Sequence, residues 1–114
     1  MSNLRASILL LLAIISVVAA SAQGQLIDSL QRIVAAHPRD TNEIRALDHL
    51  GSEFMRKDMN KAKSYVYQQI ALAKELGTDF GLAAAYSGLV AIHQNEGTID
   101  SAQYYLQLLA SSYW

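Results

Sequence analysis

Apolar residues recur at intervals of three and four in five segments after the first 22 residues, a spacing that predicts amphipathic helices. The first predicted helix covers about residues 25–36, and Pro38 stops it. The second starts at Asp40, whose side chain is expected to cap free backbone amides with Glu43 as its reciprocal partner, and runs to about Arg56. The start of this helix is therefore marked by local residue types.

Three more helices are expected downstream. A polar break at residues 57–60 precedes the third helix, which ends where Gly77 supplies a cap. Asp79 is expected to cap the fourth helix, which ends before Asn95, and the fifth begins near residues 98–100. The inner positions expected in the fourth helix are Ala83, Tyr86, Leu89, Val90 and His93. Since no segment alternates apolar and polar residues between hairpin turns, the sequence predicts an all-α fold with antiparallel neighbours.

The first 22 residues are laid out like a secretory signal. Arg5 is followed by an uncharged apolar run over residues 8–20 and by the small-residue triplet Ala20-Ser21-Ala22. That run of about 13 residues forms roughly 20 Å of helix, whereas a bilayer core is about 30 Å thick. We therefore expect cleavage after Ala22, a mature chain starting at Gln23, and an extracytoplasmic location, periplasmic or secreted. The alternative is an uncleaved anchor that retains the protein at a membrane.

The sequence after residue 40 repeats itself. A shift of 39 residues aligns Leu50 with Leu89, and a shift of 40 aligns Ala62 with Ala102. A helix–turn–helix period of about 40 residues indicates a stack of helix pairs, that is, an α-solenoid. Small residues such as Gly51 are expected where paired helices cross, because larger side chains would hold the helix axes apart.

These repeats resemble the tetratricopeptide repeat (TPR) in its longer variant. The matching residues are Leu47, Leu50, Gly51, Phe54, Ala62 and Val66 in the first unit and Tyr86, Leu89, Val90, His93, Ala102, Leu106 and Leu109 in the second. The resemblance implies a short solenoid of about five helices after the signal peptide. The expected divisions are a signal peptide at 1–22, a leading helix and linker at 23–40, and repeats at 41–78 and 79–114.

Composition narrows the function. The chain has 9 Lys and Arg against 10 Asp and Glu, a net charge of −1, so it lacks the basic surface typical of nucleic-acid binders. It contains no cysteine, which excludes disulfides, thiolate zinc sites and thiol nucleophiles. His37, His49 and His93 are too far apart in sequence for a metal motif. No cofactor or membrane contact is expected after processing.

Candidate chemistry is sparse elsewhere in the sequence. His37 is expected in a loop, and His93 as a partly buried structural imidazole. The carboxylates Glu43, Asp48, Glu53 and Asp58 are expected on solvated faces and caps rather than as an acid–base pair. Tyr65, Tyr86 and Tyr105 follow the core pattern, which leaves Tyr67 and Tyr104 as candidate contact residues.

The resemblance to TPR proteins implies a non-enzymatic protein-interaction module. In that family the first helix of each pair lines a concave surface that holds segments of partner proteins. Position by position, the expected protein-binding residues are Arg45, Asp48, Ser52, Met55, Ala84, Ser87, Ala91 and Gln94. Arg45 and Asp48, three residues apart, could equally form only a surface ion pair.

Other readings of the function stay open at this point. A signal peptide, a lone helix and long repeats also resemble the N-terminal sensory region of membrane-bound signal transduction proteins of Bacteroidetes-type bacteria, including histidine kinases and regulators. In that case the chain is a segment of a longer protein. A small helical carrier of an apolar ligand is the third alternative. Self-association through the last helix is also expected, because Leu106, Leu109, Tyr113 and Trp114 lie near its open edge.

Overall fold

The computed structural model describes residues 2–111, and this part of the chain contains five α-helices and no strand. The helices are α1 (Ser2–Ala36), α2 (Thr41–Phe54), α3 (Met59–Glu75), α4 (Leu82–Glu96) and α5 (Ile99–Ser111). The prediction of an all-α fold is confirmed. The expectations that concerned Tyr113 and Trp114 lie outside the described residues.

Helix α1 is much longer than the sequence pattern predicted. One continuous helix includes both the apolar residues 8–20 and the predicted helix at residues 25–36. Gly24 lies between them in open space and does not break the helix. Residues 3–26 are exposed, and α1 packs on α2 through its C-terminal half, where Val34 lies against the core. The helix ends as predicted before Pro38: His37 has φ +52°, and its N–H reaches the carbonyls of Ile33 and Val34.

Two of the predicted helix caps, at Asp40 and Gly77, are confirmed. The Asp40 carboxylate accepts a hydrogen bond of 3.1 Å from the Glu43 N–H and so caps α2. Asp58 caps α3 in the same way by accepting from the Lys61 N–H at 3.2 Å. Gly77, at φ +64°, closes α3: its N–H donates to the carbonyl of Lys74, and the N–H of Thr78 donates to the carbonyl of Ala73. Helix α2 itself ends at Phe54, two residues earlier than expected.

The prediction that Asp79 caps α4 is wrong. Gly81 holds the N-cap position at φ +82°, and no side chain of the described residues caps this end of the helix. The Asp79 carbonyl oxygen instead accepts a turn hydrogen bond from the Leu82 N–H at 3.1 Å. Helix α4 also continues to Glu96, past the predicted end before Asn95.

The expected inner face of α4 is also partly wrong. The buried residues are Ala85, Leu89 and Ile92, so only Leu89 was predicted correctly. The other four predicted positions, Ala83, Tyr86, Val90 and His93, are partly exposed. Because α4 is apolar around most of its circumference, spacing alone cannot choose the stripe that faces the core.

Each helix packs on the next one in sequence, and α2 also touches α4. One core cluster joins Ile44 and Leu47 of α2 to Leu72 and Ala73 of α3. A second cluster joins Val66 of α3 to the buried residues of α4, with Met55, Met59, Ile70 and Tyr105 at its edge. The molecule measures 63 × 34 × 25 Å.

Helices α2 and α3 approach closely at Gly51, as expected. A Cβ atom at Gly51 would lie 3.1 Å from Cγ2 of Val66 and 3.8 Å from the carbonyl oxygen of Ala62. Ala62 is fully buried, and Ala102, at the equivalent place in α5, is 4% exposed. The small residues therefore lie in the packed interior, as predicted from the sequence, and they allow close contact between paired helices.

Gln69 is a fully buried polar residue that links three elements. Its side-chain nitrogen donates to the carbonyl oxygen of Gly81 at 2.8 Å and to the Asp48 carboxylate at 3.3 Å. These hydrogen bonds tie α3 to the turn before α4 and to α2. The bonds satisfy the buried amide nitrogen and so stabilise the arrangement of α2, α3 and α4, whereas the buried amide oxygen has no hydrogen-bond partner among the described residues.

We expect Gln69→Ala to lower the free energy of unfolding by about 2–4 kcal/mol, because it leaves a cavity and removes the donor for the Gly81 carbonyl. Urea unfolding followed by circular dichroism measures this loss. The neighbouring Gln68→Ala is the matched control: Gln68 is exposed and bonds only to Ser64 among the described residues, so its change should stay within about 0.5 kcal/mol. Equal losses in both variants would contradict the structural role of Gln69.

Candidate protein-binding surface

Helices α2 and α4 each bury one side and leave the other open. The buried side of α2 includes Ala46 and Leu50, and that of α4 includes Ala85 and Leu89. Of the eight residues predicted to bind a partner, six are exposed: Arg45, Ser52, Ala84, Ser87, Ala91 and Gln94. We call the eight predicted residues the α2–α4 face.

The remaining two residues of the α2–α4 face take part in packing. Met55 is partly buried against the second core cluster, and its Cε lies 3.6 Å from where a Cβ of Gly88 would stand. Asp48 is partly buried because its carboxylate accepts the hydrogen bond from Gln69. Both side chains therefore contact residues of the protein interior and expose less surface to a partner than the other six.

Arg45 is held by an aromatic ring and not by Asp48. Its guanidinium carbon lies 5.3 Å from the ring centre of Phe80, in the turn between α3 and α4. Among the ion pairs of the described residues, none joins Arg45 to Asp48. Phe80 is itself 41% exposed, so the pair presents a cation and an apolar ring at the edge of the α2–α4 face. Phe80 could not be identified as a site residue from the sequence, because its contact with Arg45 exists only in the folded chain.

An open cleft of about 480 Å³ lies between α1 and α2, next to Arg45. Its apolar part includes Leu30, Ile33 and Ala46, and Arg45 and His49 line it as well. Such a cleft can accept an apolar side chain next to an acidic or carbonyl group. It is open on one side, whereas sites for small apolar ligands bury most of the ligand surface.

Glu43 is 2% exposed, so the expectation of a solvated carboxylate is wrong at this position. One oxygen accepts from the Arg39 N–H at 3.0 Å and the other lies 2.8 Å from Nδ1 of His37. Nε2 of His37 lies 3.0 Å from the Arg39 guanidinium, which can only donate. Arg39 also pairs with Glu75 of α3. This network holds the α1–α2 loop against α2 and α3, and gives Glu43 a structural role.

Aromatic rings fill the space between α4 and α5. Tyr105 stacks on His93 with ring centres 5.5 Å apart, and Tyr86 and Tyr104 also lie against it. Nδ1 of His93 lies 2.8 Å from the Thr98 hydroxyl, which confirms the expected structural role of this imidazole. Burial and a hydrogen bond with Tyr67 raise the pKa of Tyr105 above its usual value. Tyr67 and Tyr104 remain 44% and 57% exposed.

The described residues offer no group of three or more His, Asp or Glu side chains placed to hold a metal ion. Asp58 serves as a cap, and Glu53 lies 4.0 Å from Nε2 of His49. The ionisable side chains considered above therefore have structural partners. The α2–α4 face includes four exposed residues with short side chains, Ser52, Ala84, Ser87 and Ala91.

Helix α1 is long and apolar enough to cross a membrane by length and composition, and its most apolar stretch is not buried against the rest of the protein. A signal peptide and an anchor both fit this observation. Comparisons of the chain with protein-family models, curated proteins and solved structures gave no match.

Proposed function

We propose that the chain is an exported, non-enzymatic protein-binding module built as a short solenoid of TPR type. The packing of each helix on its sequence neighbour supports this architecture. The repeat equivalences support it as well, since Leu50 and Leu89 are both fully buried and Ala62 and Ala102 are both buried. These two pairs of equivalent residues are buried in both helix pairs, as a repeat would require.

The observation that carries the binding function is the one-sided packing of α2 and α4. These helices contact each other and leave an exposed surface of mainly small side chains, with Arg45 as its exposed charge. Short side chains let a partner backbone approach closely, and the Arg45–Phe80 pair can bind a carboxylate or an aromatic side chain. We propose that this surface holds a peptide segment of a partner protein.

The double variant Arg45→Glu with Ser87→Glu is expected to abolish binding of peptides selected from a random library against the unmodified protein. The reason is that two carboxylates would reverse the charge of the surface and obstruct close approach. Binding is measured by fluorescence anisotropy, and circular dichroism should show unchanged helix content.

The matched control places two carboxylates on the exposed side of α3, as Gln68→Glu with Ala71→Glu, and should bind the selected peptides as before. Full binding by the α2–α4 variant, or loss of binding in the α3 control, would move the site away from the proposed surface.

A second association surface lies on α5. The 40-residue shift makes Ile99, Leu106 and Ala110 equivalent to Met59, Val66 and Ile70, which α4 covers in the second core cluster. Ile99 and Leu106 are 55% and 51% exposed. No Asp, Glu, Lys or Arg lies between residues 101 and 111, as is typical of interface cores. We propose that this α5 face, defined as Ile99, Leu106 and Ala110, mediates self-association.

The continuity of α1 favours one further candidate function. A chain that kept residues 3–22 would present its helical domain at a membrane surface, as in the sensory segment of a longer signalling protein. The openness of the α1–α2 cleft gives no comparable support to a carrier of apolar ligands. Intact mass of the exported protein separates the cleaved module from the anchored segment.

A further inference from the structure

The proposed cleavage site lies where α1 begins to meet the rest of the protein. Residues 3–22 are exposed along their whole length, whereas Gln23 lines a surface depression together with Ser52, Glu53, Arg56 and Lys57 of α2 and the following turn. Cleavage after Ala22 would therefore remove the projecting part of α1 and keep the part that packs on α2. The new chain would begin with a glutamine at the first turn of a helix.

A free amino group is electrostatically unfavourable at this position. The N-terminus of a helix carries a partial positive charge, which disfavours an ammonium group there. Arg56 and Lys57 add two cations at the same depression. Glu53 is the carboxylate of this group, and it also lies 4.0 Å from His49. A neutral N-terminus would suit these surroundings better than a charged one.

We propose that Gln23 is a modification site that cyclises to pyroglutamate, an inference that rests on the proposed export and cleavage after Ala22. In this reaction the freed α-amino nitrogen attacks the side-chain carbon Cδ. A new N–Cδ bond closes a five-membered lactam while the Cδ–Nε2 bond breaks. The side-chain nitrogen leaves as ammonia and takes a proton from the attacking amine. The reaction is neither an oxidation nor a reduction, and it removes the terminal positive charge.

The fold accommodates this ring. Gln23 is exposed, so its side chain can turn back onto its own nitrogen without displacing a core residue. The lactam ring involves only the nitrogen and side chain of the first residue, and the N–H groups in the first turn of a helix have no intrahelical partner to lose. Ring closure would thus leave the hydrogen bonds of residues 27–36 in place.

The modification has a consequence for the mature protein. Aminopeptidases require a free α-amine, so a lactam blocks stepwise removal of the residues that follow. Those residues lead to Val34, which covers Ile44 and Leu47 in the first core cluster. The ring would protect the helix that shields this cluster in an extracytoplasmic environment.

The test is mass spectrometry of the full chain exported by a bacterial host, with the N-terminal tryptic peptide, residues 23–32, sequenced by fragmentation. We expect a mature chain that starts at residue 23, is lighter by one ammonia molecule, and resists amine-reactive labelling at that residue. The variant Gln23→Ala keeps the cleavage triplet but lacks the side-chain amide. It should therefore show the unmodified mass and a labelled N-terminus, whereas Gln25→Ala should behave like the unmodified sequence.

Two results would overturn the proposal in distinguishable ways. A mature chain with an intact, labelled Gln23 after prolonged incubation would refute cyclisation and leave export and cleavage standing. A chain that retains residues before Gln23 would refute both the cleavage and the modification. Loss of ammonia that persists in Gln23→Ala would assign it to another side chain and also refute the proposal.

Discussion

Gly81→Ala is expected to lower the free energy of unfolding by about 3–5 kcal/mol, among the largest effects of any single methyl group in this protein. Gly81 has φ +82°, where an L side chain is strained. An added Cβ would also stand 2.5 Å from Cγ2 of the fully buried Ile44 and 3.3 Å from the side-chain nitrogen of Gln69. Strain and overlap therefore act together, and urea unfolding measures their sum.

Two other glycines provide matched controls. Gly77 and Gly97 have φ values of +64° and +78°, and the described residues leave open space where their Cβ atoms would stand. Alanine there should lower the free energy of unfolding by only about 1–2 kcal/mol, the cost of the backbone conformation alone. Equal losses in all three variants would show that contact with Ile44 adds nothing, and that the α2–α4 junction is looser than the structure indicates.

Leu106→Glu is expected to weaken self-association by at least about 100-fold. In a symmetric dimer the substitution removes a buried leucine from both copies, and each leucine is worth about 1.5–3 kcal/mol. Sedimentation equilibrium measures the association. For the unmodified protein, the melting temperature should rise with protein concentration, a dependence that the variant should lose.

Gln107→Glu is the matched control on the same helix. Its equivalent in α3, Tyr67, stays 44% exposed, whereas the equivalents of the residues that define the α5 face belong to the second core cluster or pack against it. Its substitution should leave the association unchanged. An unmodified protein that stays monomeric, with a melting temperature independent of concentration, would contradict self-association through α5.

Helix ends were predictable from sequence where a residue next to the helix determines them. Asp40 and Gly77 act within one turn of their own positions, so their roles follow from local chemistry. The stripe of α4 that faces the core was not predictable. This helix has apolar residues on several sides, and packing against Val66 decides which of them become buried.

The burial of Glu43 was also not predictable from the sequence, because it depends on the conformation of the α1–α2 loop. His37 and Arg39 reach Glu43 from a loop in which both have positive φ, a conformation that their residue types do not announce. At the α2–α4 face, six of the eight residues implied by the resemblance to TPR proteins are exposed. Asp48 and Met55 are partly buried instead. Asp48 accepts a hydrogen bond from Gln69 of α3, and Met55 packs close to Gly88 of α4.

The consecutive packing of the helices has a consequence for how the chain folds and opens. Since most neighbouring helices are also neighbours in sequence, native contacts close only short loops, a topology that folds in microseconds to milliseconds. Local unfolding of the helices can then start at α5. Ala102 is the one buried residue described in α5, whereas α2 and α3 share a cluster of four buried side chains. Amide hydrogens of α5 should therefore exchange with solvent through local fraying, while those of α2 and α3 exchange only when the whole domain unfolds.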